Sequence, residues 1–206
     1  PELARAISPA IDVHIAIEVR CDRSVAPPID DEPDADFDDA HGDGVDGMAC
    51  GPVFVLPLGD DVDDRTLEHP KQSLTSALEL AAALDPPRPV YAAVGSYEGP
   101  IELSAGAAIV GGYDPETFAR AAPGTRTRIA GGSVAVSAAA LDAGVTLERR
   151  QIVASDAVEP GEPSVALLVA QVKGTTRRVD VYVEAGAGAD GENGMPGERG
   201  VDGDAG

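Results

Sequence analysis

Five of the six aspartates in a thirteen-residue stretch, Asp34, Asp36, Asp38, Asp43 and Asp46, are candidates for one site in the run DEPDADFDDAHGDGVDG. Carboxylates at that density are hard oxygen ligands, and the chemistry they offer is calcium binding, which takes six to eight oxygens. An EF-hand loop started at Asp34 places Asp36 and Asp38 correctly but puts Asp39 where glycine belongs and Val45 where the bidentate acid belongs, so that motif fails. What remains is a looser calcium site built from the five aspartates, or a solvated acidic linker with no resident cofactor. Composition favours the linker. Cys21 and Cys50, the only cysteines, flank the run and are candidates for a disulfide. Oxidised, they would constrain the unfolded chain and contribute roughly 3 to 4 kcal/mol on the loop-entropy account. Two unrelated thiols are the alternative.

The second chemical candidate is Glu148-Arg149-Arg150, with Asp142 and Asp156 nearby in sequence. A polysaccharide lyase would need carboxylates holding calcium and a base to take a proton, and a hydrolase would need paired carboxylates about one bond. Neither spacing is present, so no catalytic residue is assigned and the chain reads as a non-enzyme. Adjacent arginines on a strand point to opposite faces, so at least one of Arg149 and Arg150 is expected to be a solvated charge or to close a turn; Arg177 and Arg178 pose the same question. The three histidines are far apart in sequence and suggest neither a zinc site nor a catalytic triad. Tyr97 and Tyr113 are read as packing residues.

These residues sit in a 206-residue chain of net charge −21, with 43% apolar and only 3% aromatic residues. Most of the negative charge lies in the amino-terminal third. Such a balance excludes nucleic acid as a partner, because that affinity comes from Lys and Arg displacing counterions. No apolar run is long enough to span a bilayer. An acidic, lysine-poor, glycine-rich chain fits secretion.

Alternation over residues 11–19 reads as a strand segment within residues 1–26, followed by an acidic linker over 27–51. From residue 52 a short strand at 53–56 precedes a helix over about 73–84, with Ser73 as its cap and Leu74, Leu78, Ala81 and Leu84 on one face. Strands follow at 90–94, 101–104, 107–114, 127–132, 134–140, 145–155, 164–172 and 178–185. Ile109, Ile129, Ile152, Val169 and Tyr182 return at roughly 13 to 23 residue intervals, a spacing that suits the turns of a solenoid. The fold class expected is mainly β: a right-handed parallel β-helix over 52–187, its open end closed by the helix, with a β-sandwich as the alternative. Residues 188–206 carry glycine at every third position, yet Pro196 is the only imino acid among those triplets, too few for collagen. This extension reads as a glycine loop, with self-association through the repeat as the other possibility.

The series Val90, Tyr91, Ala93, Gly95, Tyr97 and Glu98, followed by Ile109 and the turn Gly111-Gly112-Tyr113-Asp114, resembles the entry into secreted bacterial surface proteins of the pectate-lyase-like, right-handed parallel β-helix type. The resemblance covers about residues 53 to 185. It implies a strand, a loop and a capping helix leading into the coils, with an Asp-rich linker ahead of them. It also implies an extracellular or cell-surface location and a structural or adhesive role toward cell-surface or matrix components. A polysaccharide-acting β-helix enzyme and a calcium-dependent binding module are the alternatives.

Overall fold

The structure is a computed structural model that describes residues 31–34, 37, 39, 42–195 and 197. The strand expected at 11–19, Cys21, Asp36, Asp38 and most of the glycine repeat lie outside the described residues.

The fold is mainly β, and every pairing between strands is parallel. The elements in chain order are β1 (Val53–Val55), α1 (Leu74–Ala83), β2 (Val90–Ala93), β3 (Ser96–Glu98), β4 (Ile101–Glu102), β5 (Ala108–Tyr113), β6 (Thr127–Ala130), β7 (Val134–Ala139), β8 (Thr146–Val153), β9 (Val165–Ala170) and β10 (Arg177–Glu184). Parallel neighbours cannot be joined by tight hairpins, so the hairpin-linked sandwich considered above is not the architecture. One sheet runs β1-β2-β5-β8-β6-β3 with β10 also on β8, and a smaller one runs β4-β7-β9.

The larger sheet curls because β8 serves two rows of partners. Its first half pairs with β5, through Ala108↔Thr146 to Val110↔Glu148, and its second half with β6, through Thr127↔Arg150 to Ala130↔Val153. Between the halves Arg149 takes φ 51°, which turns the strand; β10 repeats the bend at Asp180, φ 50°, and pairs along the length of β8. Residues at one register position therefore lie over one another along three columns. Val53, Val90, Ile109 and Leu147 form one; Tyr97, Ile129, Ile152 and Val183 a second; Ile101, Val136 and Leu167 a third. The aliphatic core lies between them, and Val53, Val90, Ile109, Ile129, Val136, Leu147 and Ile152 are all fully buried. Ile109 and Ile129, equivalent by spacing alone, belong to different columns; the true equivalents of Ile129 are Tyr97 and Ile152.

The chain enters this sheet through α1. Ser73, in extended backbone at φ −101°, accepts a hydrogen bond from Ser76 N–H at 3.1 Å, while Asp61 Oδ1 accepts from the N–H groups of Gln72 and Ser73 at 2.9 and 2.8 Å. Leu74, Ala77, Leu78 and Ala81 then face the core beside Val53 and Val55. Leu84 takes the C-cap position in extended backbone, half-buried against the same cluster.

The Gly-Gly pair of β5 has a steric reason. The register slips between Tyr91 and Ala93 so that Ala93 lies opposite Tyr113, which makes a bulge. Gly112 sits there at φ 78°, and a Cβ on Gly111 would collide with the Arg150 guanidinium.

Candidate functional site

The outer face of the larger sheet carries Tyr113, Glu148, Arg149 and Arg177, and the bends at Arg149 and Asp180 divide it into a covered zone and an open one.

In the covered zone Phe54, Tyr91, Val110 and Glu148 form an outward column, joined by Tyr113 and Phe118. Phe54 meets Tyr91 and Phe118 edge-on, with centroids at 5.7 and 5.2 Å, and Tyr91 stacks on Tyr113 at 5.0 Å. The end of the acidic run lies over these rings, burying Val45 and Ala49. Two of its aspartates accept from backbone amides. Asp39 accepts from Gly42 and Gly44 at 2.7 Å each, and Asp43 accepts from Val45 at 3.0 Å and Ala49 at 2.9 Å. A segment with little to bury is thus ordered by Asx-type turns and by two small apolar side chains.

Beneath it lies an ion cluster. Asp46, 2% exposed, accepts from Asp34 N–H at 3.2 Å and faces Arg120 Nε at 3.3 Å, while Tyr113 Oη donates to the Asp46 carbonyl at 2.7 Å. Arg120 reaches Glu148 Oε1 at 2.6 Å, and Arg177 closes on Glu148 Oε2 at 2.9 Å. The Arg120 guanidinium is sandwiched between the rings of Phe37 and Tyr113, 5.1 Å from each centroid. Desolvation outweighs the attraction of Arg120 and raises the Asp46 carboxyl to about 6.

Neither arginine of the Glu148-Arg149-Arg150 triplet is a solvated charge. Arg149 is 3% exposed and donates to the carbonyls of Ala121 and Ala122 at 3.1 and 2.6 Å, its cation 4.6 Å from the Phe37 centroid. It therefore closes a loop. Arg150 is fully buried, pointing inward at the corner position beside Thr127, and its three guanidinium nitrogens have no hydrogen-bond partner. Burial lowers its pKa to about 9. Alternation correctly sends the two arginines to opposite faces; what it misses is that both faces are covered here, one by the core and one by the 115–125 loop and Phe37.

The remaining sequence candidates are dispersed. Asp142 pairs with Lys173 at the surface, at 2.6 Å, and Asp156 accepts from Ala187 N–H at 2.7 Å. Cys50 is disulfide-bonded, and the chain's other cysteine lies outside the described residues. Of the five aspartates considered for calcium, Asp34, Asp43 and Asp46 are described, and no group of three or more His, Cys, Asp or Glu among the described residues is placed to hold a metal. No helix among those residues is long and apolar enough to cross a membrane.

The open zone spans β3, β6 and the second halves of β8 and β10. Ser96, Arg128, Gln151 and Tyr182 lie in register as one outward row, with Arg128 Nη1 donating to Ser96 Oγ at 3.2 Å. Glu98, Ala130, Val153 and Glu184 form the next row. Beside them Arg126 pairs with Asp180, and a groove of about 430 Å³ is lined by Gly124, Arg126, Gln151, Tyr182 and Glu184. The sequence signal for these rows was present in the alternation of Tyr97, Ile129, Ile152 and Val183 with their polar neighbours, but only register brings the four strands into line.

No family model, curated protein or solved structure matches the chain. Among the described residues the charges of the outer face are engaged in holding loops to the sheet in the covered zone, and they form aligned hydrogen-bonding rows in the open one.

Proposed function

We propose that residues 52–187 form successive turns of a right-handed parallel β-helix whose amino-terminal end is closed by α1. In this reading the chain is a non-enzymatic structural or adhesive part of a secreted or cell-surface protein. The observation that carries the reading is the register: three columns of side chains, one on each of three strand rows and buried except at the end-strand positions Leu167 and Val183, recur through pairings that are all parallel. A stack of that kind is held by strand ladders and aliphatic contacts, and it presents outward side chains at the regular spacing of neighbouring strands, about 4.8 Å. Such a scaffold displays loops and rows toward cell-surface or matrix components.

The engagement of Glu148 with Arg120 and Arg177 supports a structural use of the most buried acid in the sheet. A bonded Cys50 and a strongly acidic surface fit an oxidising, extracellular setting.

Cross-linking tests the stack. Ser137 and Leu168 are outward register partners on β7 and β9, and neighbouring parallel strands hold Cα atoms within the range a disulfide spans. In the double variant Ser137→Cys/Leu168→Cys the two introduced thiols are expected to join on mild oxidation, read by mass spectrometry after digestion, without loss of secondary structure. Failure of that bond to form in the folded chain overturns the stacked reading. Incubation of the native chain with acidic and neutral polysaccharides tests the non-enzymatic part, and release of unsaturated or reducing ends would overturn it.

A further inference from the structure

We propose that the open rows of the larger sheet are a binding site for an uncharged, hydroxyl-rich oligosaccharide, with Tyr182 as the ring on which a sugar face stacks. This deepens the adhesive reading above by naming the ligand class, and it rests on that reading only for the biological use of the site.

The first support is the fate of the aromatic side chains. Tyr91, Tyr97, Tyr113, Phe54 and Phe118 are all at most 3% exposed, and Phe37 is half-buried against two arginines. Tyr182 alone is left open, 53% exposed, although burying such a ring is one of the larger gains a fold can make. Alternation along β10 sets Val181 and Val183 on the side opposite Tyr182, Val181 packed against the core and Val183 49% exposed at this end strand, so Tyr182 faces outward by register.

The second support is what stands beside it. Gln151 offers both donors and acceptors, Arg128 offers donors, Glu184 and Glu98 offer acceptors, and Ala130 and Val153 lie half-buried between the two glutamates. A sugar ring presents the complementary surface, an apolar C–H face with hydroxyls around its edge that both donate and accept. Four strands set these groups along a row about 14 Å long, the reach of a short oligosaccharide rather than a monosaccharide.

The third support is charge. Arg126 is neutralised by Asp180, leaving Arg128 against Glu98 and Glu184 in the rows, within a molecule of net charge −21. No surplus of cation is available to hold an acidic sugar, and the long-range field repels a polyanion. The surface therefore selects neutral chains.

The experiment is calorimetric titration of the full chain with cellohexaose, xylohexaose, mannohexaose and maltohexaose, with hexagalacturonate as the acidic comparison. At least one neutral hexaose is expected to bind saturably, and Tyr182→Ala to weaken that binding about tenfold, as loss of a stacked ring should. Gln151→Ala is expected to weaken it too, and both variants should melt with the native chain because neither side chain reaches the core. Absence of binding by every neutral hexaose, binding of hexagalacturonate alone, or an undiminished affinity in a folded Tyr182→Ala chain each overturns the proposal. The cross-link between positions 137 and 168 is indifferent to all three results, so a scaffold that forms it yet binds no sugar loses this site and keeps its fold.

Discussion

Arg150 is a cation that the fold buries completely. Its guanidinium is fully buried with all three nitrogens unpartnered, and its pKa falls to about 9. Replacing a buried ion by an apolar side chain of similar length is commonly neutral or stabilising. Arg150→Met is therefore expected to raise unfolding stability by about 1 to 3 kcal/mol, measured as a shift of the urea midpoint; a large destabilisation would mean that the cation is held by more than its packing. Asp46 makes the opposite pH statement. Burial raises its carboxyl from 3.8 to about 6 despite Arg120 nearby, so between those values the folded chain binds more protons than the unfolded one. Its contribution to stability is greatest below the unfolded value and is lost as pH rises through about 6. Relative to Asp46→Asn, the native chain should lose about 1 to 3 kcal/mol between about pH 4 and about pH 7. Parallel pH slopes for the two proteins in urea titrations would remove this account. The asparagine has no charge to desolvate, so the difference isolates this one carboxyl from the other acids.

At the level of elements, α1 is the one helix among the described residues, and local chemistry explains it. Its start is held by the Ser73 hydroxyl and the Asp61 carboxylate together, and its buried stripe follows the three and four spacing of Leu74, Leu78 and Ala81. Ser73→Ala is expected to cost about 1 kcal/mol, seen as a lower melting temperature with strand content unchanged; no effect would show that Asp61 alone holds this end. Both the helix and its cap were legible because capping and amphipathic spacing are properties of a dozen neighbouring residues. Nine of the ten strands among the described residues were equally legible, eight of them shortened by one to three residues where a turn begins and the last shifted by one residue to Arg177–Glu184. The strand missed was Ser96–Glu98, too short to alternate visibly and recognisable only through its pairing with Arg128–Ala130. The bends at Arg149 and Asp180 were also hidden. Both residues lie inside continuous β-forming runs, and a positive φ at a non-glycine is imposed by the partners on either side of the bend.

For the whole molecule, composition alone indicated an aliphatic core with few rings. Local periodicity then placed the helix and most strands. Those readings succeed because they depend on residues adjacent in sequence. The acidic run shows the limit of such reasoning: its composition says that it cannot bury much, yet Val45 and Ala49 are buried because a patch of four rings supplied by β1, β2, β5 and the loop after β5 waits for them. The pairing of Asp46 with Arg120, Arg120 with Glu148, and Glu148 with Arg177 likewise joins residues 28 to 74 positions apart. So does the row Ser96, Arg128, Gln151 and Tyr182. Sequence by itself determined which segments are strands and which is the helix, since backbone preference and side-chain alternation are local. Only the tertiary structure decided which strands lie side by side, and with that which charges are buried and which single aromatic ring is left facing water, because strand register is set by contacts between residues that the chain itself keeps far apart.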